Sequence, residues 1–195
     1  MLPVSQRSAR EARETVIEWL RRASYHAERE PRAGYRDHWP RRALAGVGFV
    51  IAIVTGDIFG SSAQTLVNPV NCVGVMGKGL AREFRRRFPD MYDDYTKRCA
   101  GATVRLGEPY LVRRAQLPWI LNFPTKHHWR SRSRLPDLIA GLEFLGTHYQ
   151  EWELRSLAVP ALGCGEGHLT WEEVRPLLCQ YLTHLDIPIE VFAPR

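Results

Sequence analysis

The sequence is poor in cysteine, has no long apolar run and shows no metal-ligand spacing; each shortage removes a class of protein. Cys72, Cys99, Cys164 and Cys179 are the only cysteines, and no two of them form a CxxC pair. That spacing argues against a structural zinc site and fits a reducing cytoplasm, with the four side chains read as small apolar residues. No stretch approaches the ~18 apolar residues of a membrane span. The N-terminal region also lacks the apolar core of a secretory signal, so no membrane role is expected. His127 and His128 are adjacent and point apart on an extended chain, and no Asp/His pair at ligand spacing accompanies them. Neither a metal nor another cofactor is expected.

An excess of one charge sign is also missing from most of the chain. The net charge is +6, but residues 1–42 hold ten arginines against six acidic residues. The remainder carries 17 basic and 15 acidic side chains. Bulk charge therefore says little about a nucleic-acid partner for the main domain, and only local clusters can speak to it.

With 195 residues, 45% of them hydrophobic, the chain can bury one good core. Residues 1–47 differ in texture from the rest. Ser8 to Glu11 has the pattern of a capping box, and Ala12, Val16, Trp19, Leu20 and Ala23 then form one helical stripe. A mixed-charge stretch without periodicity follows. This region reads as an appended basic helix and linker, and residues 48–195 as the main domain, expected to be monomeric.

In the main domain strand and helix patterns alternate. FVIAIVTGD reads as a strand covered on both faces, and TLVNPV, PYLVRR, PWILNF, SLAVPAL and IPIEVFAP as further strands. Leu80, Phe84 and Phe88 mark one helix, and MYDDYTKRC a second. Leu135, Leu138, Ile139, Leu142, Leu145 and Tyr149 mark a third. A capping box at Thr170–Glu173 opens a fourth, which Pro176 should kink or delay. The order predicts an α/β fold around a mostly parallel sheet.

In such a sheet ligands bind beyond the carboxyl ends of the strands. Two glycine-rich loops precede helices there. CVGVMGKGLA departs from a Walker loop, because Cys72 stands where the opening glycine belongs and Gly79 follows the lysine where Ser or Thr would hold magnesium. LGCGEGHL is GxGxG rather than GxGxxG, a poor match for a dinucleotide fold. Two such loops on one sheet edge suggest a diphosphate held between backbone amides and helix starts. Asp57 can accept from an exocyclic amine, and Asn68 and Asn71 can grip ribose hydroxyls; read alone, Asp57 is more often a helix or turn cap and the asparagines are more often turn residues. Lys126 reads as a lysine at the end of an apolar strand. In HWRSRSR, Arg130, Arg132 and Arg134 alternate with small residues as an extended phosphate-contacting segment does, and Trp129 suits stacking on a base. A solvated charged loop is the plainer alternative.

Taken in order, VTGDIF, LVNPVNCVGVMGKGLAREFRRRFPDMY, NFPTKHHWR and LAVPALGCGEGHLTWEEV resemble the macrodomain family over about residues 50–194. Within it they look most like the DarG-type antitoxin branch. The resemblance implies a three-layer α/β/α sandwich with a mixed, mostly parallel sheet, and ADP-ribose as ligand. It implies that Asp57 and the Ile58 amide hold the adenine, with Phe192 lining that end. It further implies that Asn71 faces the distal ribose and that Thr125 also contacts ADP-ribose. Gly74, Val75, Met76, Gly77 and Gly79 of one loop, and Gly163, Cys164, Gly165, Glu166 and Gly167 of the other, would clamp the diphosphate and distal ribose. Lys126 falls where related glycohydrolases carry a catalytic lysine. Trp129, Arg130 and Arg132 would contact DNA.

The implied activity is hydrolysis of ADP-ribose from ADP-ribosylated thymine bases in DNA, opposite an ADP-ribosyltransferase toxin. A eukaryotic relative pairs its lysine with an aspartate where this chain has Gly167, beside Glu166. That departure keeps open reading of ADP-ribose without cleavage; hydrolysis from ADP-ribosylated protein, with Lys126 still catalytic, is the other alternative.

Overall fold

The structure is a computed structural model that describes residues 51–194; the helix and linker expected within residues 1–47 lie outside the described residues. The strands are β1 (Ile51–Val54), β2 (Thr65–Asn71), β3 (Tyr110–Val112), β4 (Trp119–Lys126), β5 (Leu157–Pro160) and β6 (Ile189–Phe192). They form one sheet in the order β1-β6-β5-β2-β4-β3, parallel throughout except for the antiparallel pair β3–β4. The helices are α1 (Gly79–Arg87), α2 (Pro89–Ala100), α3 (Leu135–His148) and α4 (Trp171–Leu182).

Successive strand side chains point to opposite faces, so each apolar strand feeds two cores. Val67, Leu121, Phe123, Val159 and Val191 pack with Leu138, Leu142 and Leu145 of α3 and with Val174, Leu178 and Leu182 of α4. Leu66, Val70, Ile120 and Ala158 pack on the other side with Phe84 of α1 and with Met91 and Tyr95 of α2. Helices thus cover both faces, the expected three-layer sandwich. Each of the buried Val, Leu, Ile, Phe and Met side chains contributes about 1.5–3 kcal/mol relative to exposure, so the sheet is a firm platform for the loops at its edge. Among the described residues no helix is long and apolar enough to cross a membrane.

Several details depart from the sequence reading. Strand β1 pairs only with β6 among the described residues, and its four residues are half-buried, not covered on both faces. A β-branched run is compatible with an edge as well as a centre, and periodicity does not separate them. Helix α4 starts at Trp171 under its Thr170–Glu173 capping box and runs through Pro176, so its start is not delayed. Asn68 is not at a strand end. It is fully buried in β2, where its Nδ2 donates to Asn122 Oδ1 at 2.9 Å, and Asn122 Nδ2 donates to Tyr110 Oη at 3.1 Å. Asn68 and Asn122 are register partners. A slip of β2 against β4 would leave two buried amides unpaired, which opposes every other register. The register shifts between Val70 and Asn71, and Asn71 then stands opposite Lys126.

Candidate functional site

At the carboxyl edge of the sheet β2, β4 and β5 end side by side. The loop from β2 to α1 and the loop from β5 to α4 face each other across a cleft of about 690 Å³, within the range of small-molecule sites.

Asn71 shapes the first loop. Its Oδ1 accepts from the amides of Val73 (3.0 Å) and Val75 (3.3 Å), and its Nδ2 donates to the Val75 carbonyl at 2.5 Å. Tyr95 Oη donates to both the Oδ1 and the carbonyl of Asn71. The Cys72 amide donates to the His127 carbonyl at 2.9 Å, which ties this loop to the end of β4. Asn71 lines the cleft, yet its observed bonds hold the loop.

The second loop is packed too tightly for side chains. Gly163 has φ +75°, and a Cβ there would stand 2.9 Å from Leu169 Cδ1 and 3.2 Å from Ser133 Cβ. A Cβ on Gly167 would stand 2.5 Å from the Gly163 carbonyl oxygen and would also strike Ser133 Oγ. The Ser133 amide donates to the Gly167 carbonyl at 3.0 Å. The aspartate expected from the eukaryotic relative therefore has no room at position 167 in this loop.

Lys126 closes β4, which runs farther than the PWILNF segment alone suggests. It is 8% exposed, and its Nζ donates to the Glu166 carbonyl oxygen at 2.5 Å. Burial holds its pKa below the ordinary lysine value of 10.5, and the charge of Glu166 partly opposes that shift. A buried amine is thus fixed between the two glycine loops.

The other expected ligands divide into groups. Val75, Gly77, Gly79 and Thr125 line the cleft with Asn71, and Gly163, Gly165, Glu166 and Gly167 line its opposite side. Gly74 lies outside the lining, near Tyr92, and Met76 is 1% exposed, turned into the core. Cys164 is also behind its loop. Burial, then the charges of Glu172 and Glu173, push its thiol up to about 11, so it stays neutral at physiological pH. Asp57, Ile58 and Phe192 sit beyond this cleft at the ends of β1 and β6, farther along the same edge. Asp57 accepts from the Phe59 amide at 3.1 Å and lies 3.9 Å from Arg87; Ile58 is buried and Phe192 half-buried against the same cluster. Trp129 and Arg130 line the cleft, whereas Arg132 does not. Lys78 is the exposed N-cap residue of α1 at the rim.

Residues absent from the sequence reading also build the site. Ser133 underlies the second loop, Tyr95 braces the first, and His168 lines the cleft with a left-handed φ of 61°. Only His168 left a local signal, a side chain following a glycine run; the other two arrive from distant helices and loops. Among the described residues no group of three or more His, Cys, Asp and Glu side chains is placed to hold a metal ion. Chemically, the loop amides and helix starts suit an anion. The amine at the floor suits attack on carbon or proton donation to a leaving group.

Comparison with known proteins agrees with this geometry. The Macro domain family model matches residues 67–178, from β2 into α4, so it spans both loops and Lys126. The DNA ADP-ribosyl transferase-DNA ADP-ribosyl glycohydrolase fusion protein of Thermosipho africanus is 40% identical over 162 residues, covering 74% of this chain and 42% of that protein. The chain therefore spans less than half the length of this curated relative. The macrodomain of Mycobacterium tuberculosis DarG superposes with TM-score 0.73 at 41% identity, covering 76% of this chain and all of that one. Thermosipho africanus DarTG in complex with ADP-ribose superposes with TM-score 0.72 at 42% identity, covering 74% and 41% of the respective chains. Sheet order, paired glycine loops and these likenesses lead to one conclusion: the chain belongs to the Macro domain family.

Proposed function

We propose that this macrodomain is a DNA ADP-ribosyl glycohydrolase that releases ADP-ribose from ADP-ribosylated thymine, with Lys126 as its catalytic residue. The observation that carries the proposal is the buried Lys126 amine, bonded to the Glu166 carbonyl between two loops suited to a diphosphate. The names of the relatives, and the ADP-ribose bound by one of them, support the same activity. Val75, Gly77, Gly79 and Thr125 face the diphosphate and distal ribose from one side, and Gly163 to Gly167 from the other. Asp57, Ile58 and Phe192 take the adenine farther along the edge.

Burial destabilises the ammonium form of Lys126 and so favours the neutral amine. Its lone pair attacks the anomeric carbon, forming a carbon–nitrogen bond as the bond to the base nitrogen breaks. The electron pair leaves with the base, which takes up the proton lost by the alkylated amine. Water then displaces the lysine, so the net change is addition of water across the N-glycosidic bond. Glu166 is the carboxylate available to relay protons in place of the acid absent at Gly167. The counterpart of the reaction is an ADP-ribosyltransferase acting on DNA, in the cytoplasm.

The test is incubation with ADP-ribosylated thymidine oligonucleotide and, separately, with ADP-ribosylated protein, followed by chromatography of the released ADP-ribose. Release from the oligonucleotide that disappears in Lys126→Ala is expected. Equal release by the variant would refute the role of Lys126. Release from protein alone would reassign the substrate, and binding without release would make the domain a reader.

A further inference from the structure

The turn that follows Lys126 is more ordered than a solvated loop requires. The Ser131 amide donates to the His128 carbonyl at 2.9 Å, so Trp129 and Arg130 are the central residues of a tight turn. The Arg130 amide also donates to His128 Nδ1 at 3.2 Å. The rings of His128 and Trp129 stack with centroids 5.4 Å apart, and the Arg130 guanidinium lies 4.5 Å from the Trp129 ring centroid. The indole is held by its neighbours, yet it remains 42% exposed at the mouth of the cleft that contains Lys126.

The charges of the same segment are unspent. Arg130 and Arg132 have no carboxylate within ion-pair distance among the described residues, whereas Arg134 bonds both oxygens of Asp137 at 3.0 Å. The arginine run of α1 is largely engaged as well, with Arg82 and Arg86 on Glu83 and Arg87 beside Asp57. Cations without carboxylate partners and a partly exposed indole therefore lie in one short segment, with Trp129 and Arg130 at the cleft mouth and Arg132 just beyond it. The segment is a turn, not the extended strip that the alternation of Arg130, Arg132 and Arg134 suggests.

We infer that this turn selects the substrate: Trp129 is the platform on which the base joined to the distal ribose stacks, and Arg130 and Arg132 take phosphates flanking that base on a single strand. The inference rests on the glycohydrolase reading and adds the element that sets its specificity. A pre-stacked indole has little rotamer freedom left to lose on binding. Every nucleobase offers it a π-face, but only outside a duplex stack. A serine, aspartate or glutamate side chain carrying ADP-ribose offers no such face, so it gains nothing from this turn.

Binding is measured in the Lys126→Ala background, which prevents turnover, by anisotropy with an ADP-ribosylated oligothymidine and by calorimetry with ADP-ribose. Trp129→Ala is expected to lower the ratio of oligonucleotide to ADP-ribose affinity by about 5- to 150-fold, the range of single-base stacking. Trp129→Phe should restore most of it. Arg130→Ala with Arg132→Ala should reduce the slope of log affinity against log salt by about 1.4, at roughly 0.7 per phosphate on a single strand. An unchanged affinity ratio, or an unchanged salt slope, would overturn the inference. The turnover assay reads the other proposal separately: selective binding with no ADP-ribose released defeats the glycohydrolase and leaves the selecting turn standing.

Discussion

Replacing Gly167 by alanine should disable the cleft, although it adds a single methyl group. The new Cβ would stand 2.5 Å from the Gly163 carbonyl oxygen and 2.9 Å from Gly163 Cα, and would also meet Ser133 Oγ. The serine can rotate away; the two backbone atoms cannot. Overpacking of this kind costs about 1–3 kcal/mol, which in a domain of this size lowers Tm by roughly 2–12 °C. Relief requires the loop to open. Opening breaks the 3.0 Å bond from the Ser133 amide to the Gly167 carbonyl and moves the neighbouring Glu166 carbonyl away from Lys126. Thermal unfolding should show the lower Tm, and calorimetry a weaker affinity for ADP-ribose. Adding Ser133→Gly should recover only part of the loss, because the Gly163 backbone stays in place. Gly167→Asp should behave like alanine or worse and should not raise turnover by supplying an acid. A Gly167→Ala protein that melts and binds like the wild type would show that the loop has room, and the steric account of the missing acid would fall.

Lys126 sets a pH dependence in stability and in rate. Its folded pKa lies below 10.5, so between that pKa and 10.5 the unfolded chain binds more protons, and stability rises with pH. The burial penalty is complete below the folded pKa; denaturation at several pH values should show wild type gaining on Lys126→Met as pH climbs toward 10.5. If the neutral amine attacks, kcat/KM at subsaturating substrate rises with pH through the same pKa; a fall would favour the ammonium as acid. Asn71→Ala removes the side-chain bonds that hold the first loop to Val73 and Val75 and should cost about 1–3 kcal/mol. Urea denaturation reads that cost, and an ADP-ribose affinity equal to wild type would argue against the loop as a ligand cradle. Thr170→Ala removes the cap of α4 and should cost about 1 kcal/mol in the same denaturation assay, with Thr170→Ser recovering most of it.

Much of the fold was legible because its signals are local. The stripe Leu138, Leu142 and Leu145 is the face of α3 that packs on the sheet, and the Thr170–Glu173 box does open α4. The six apolar runs are the six strands of the described residues. Less legible were the roles of polar residues in strands. Asn68 and Asn71 look alike in LVNPVN, yet one is a core partner of Asn122 and the other a loop brace beside the cleft. The difference comes from the register shift between Val70 and Asn71 and from Tyr95, a residue of another helix. Arg134 likewise resembles Arg130 and Arg132 in the sequence, until the start of α3 places Asp137 against it.

By itself the amino-acid order determined the alternation of strands and helices, the two glycine loops at strand ends and the lysine that closes β4, because periodicity, capping and backbone freedom act within a few residues. Tertiary structure alone decided that β1 is an edge among the described residues, that the Lys126 amine meets the Glu166 carbonyl, and that Gly167 has no space for a side chain. Those facts depend on which distant segments the sheet order brings together. Burial, which shifts the pKa of Lys126, exists only once they have met.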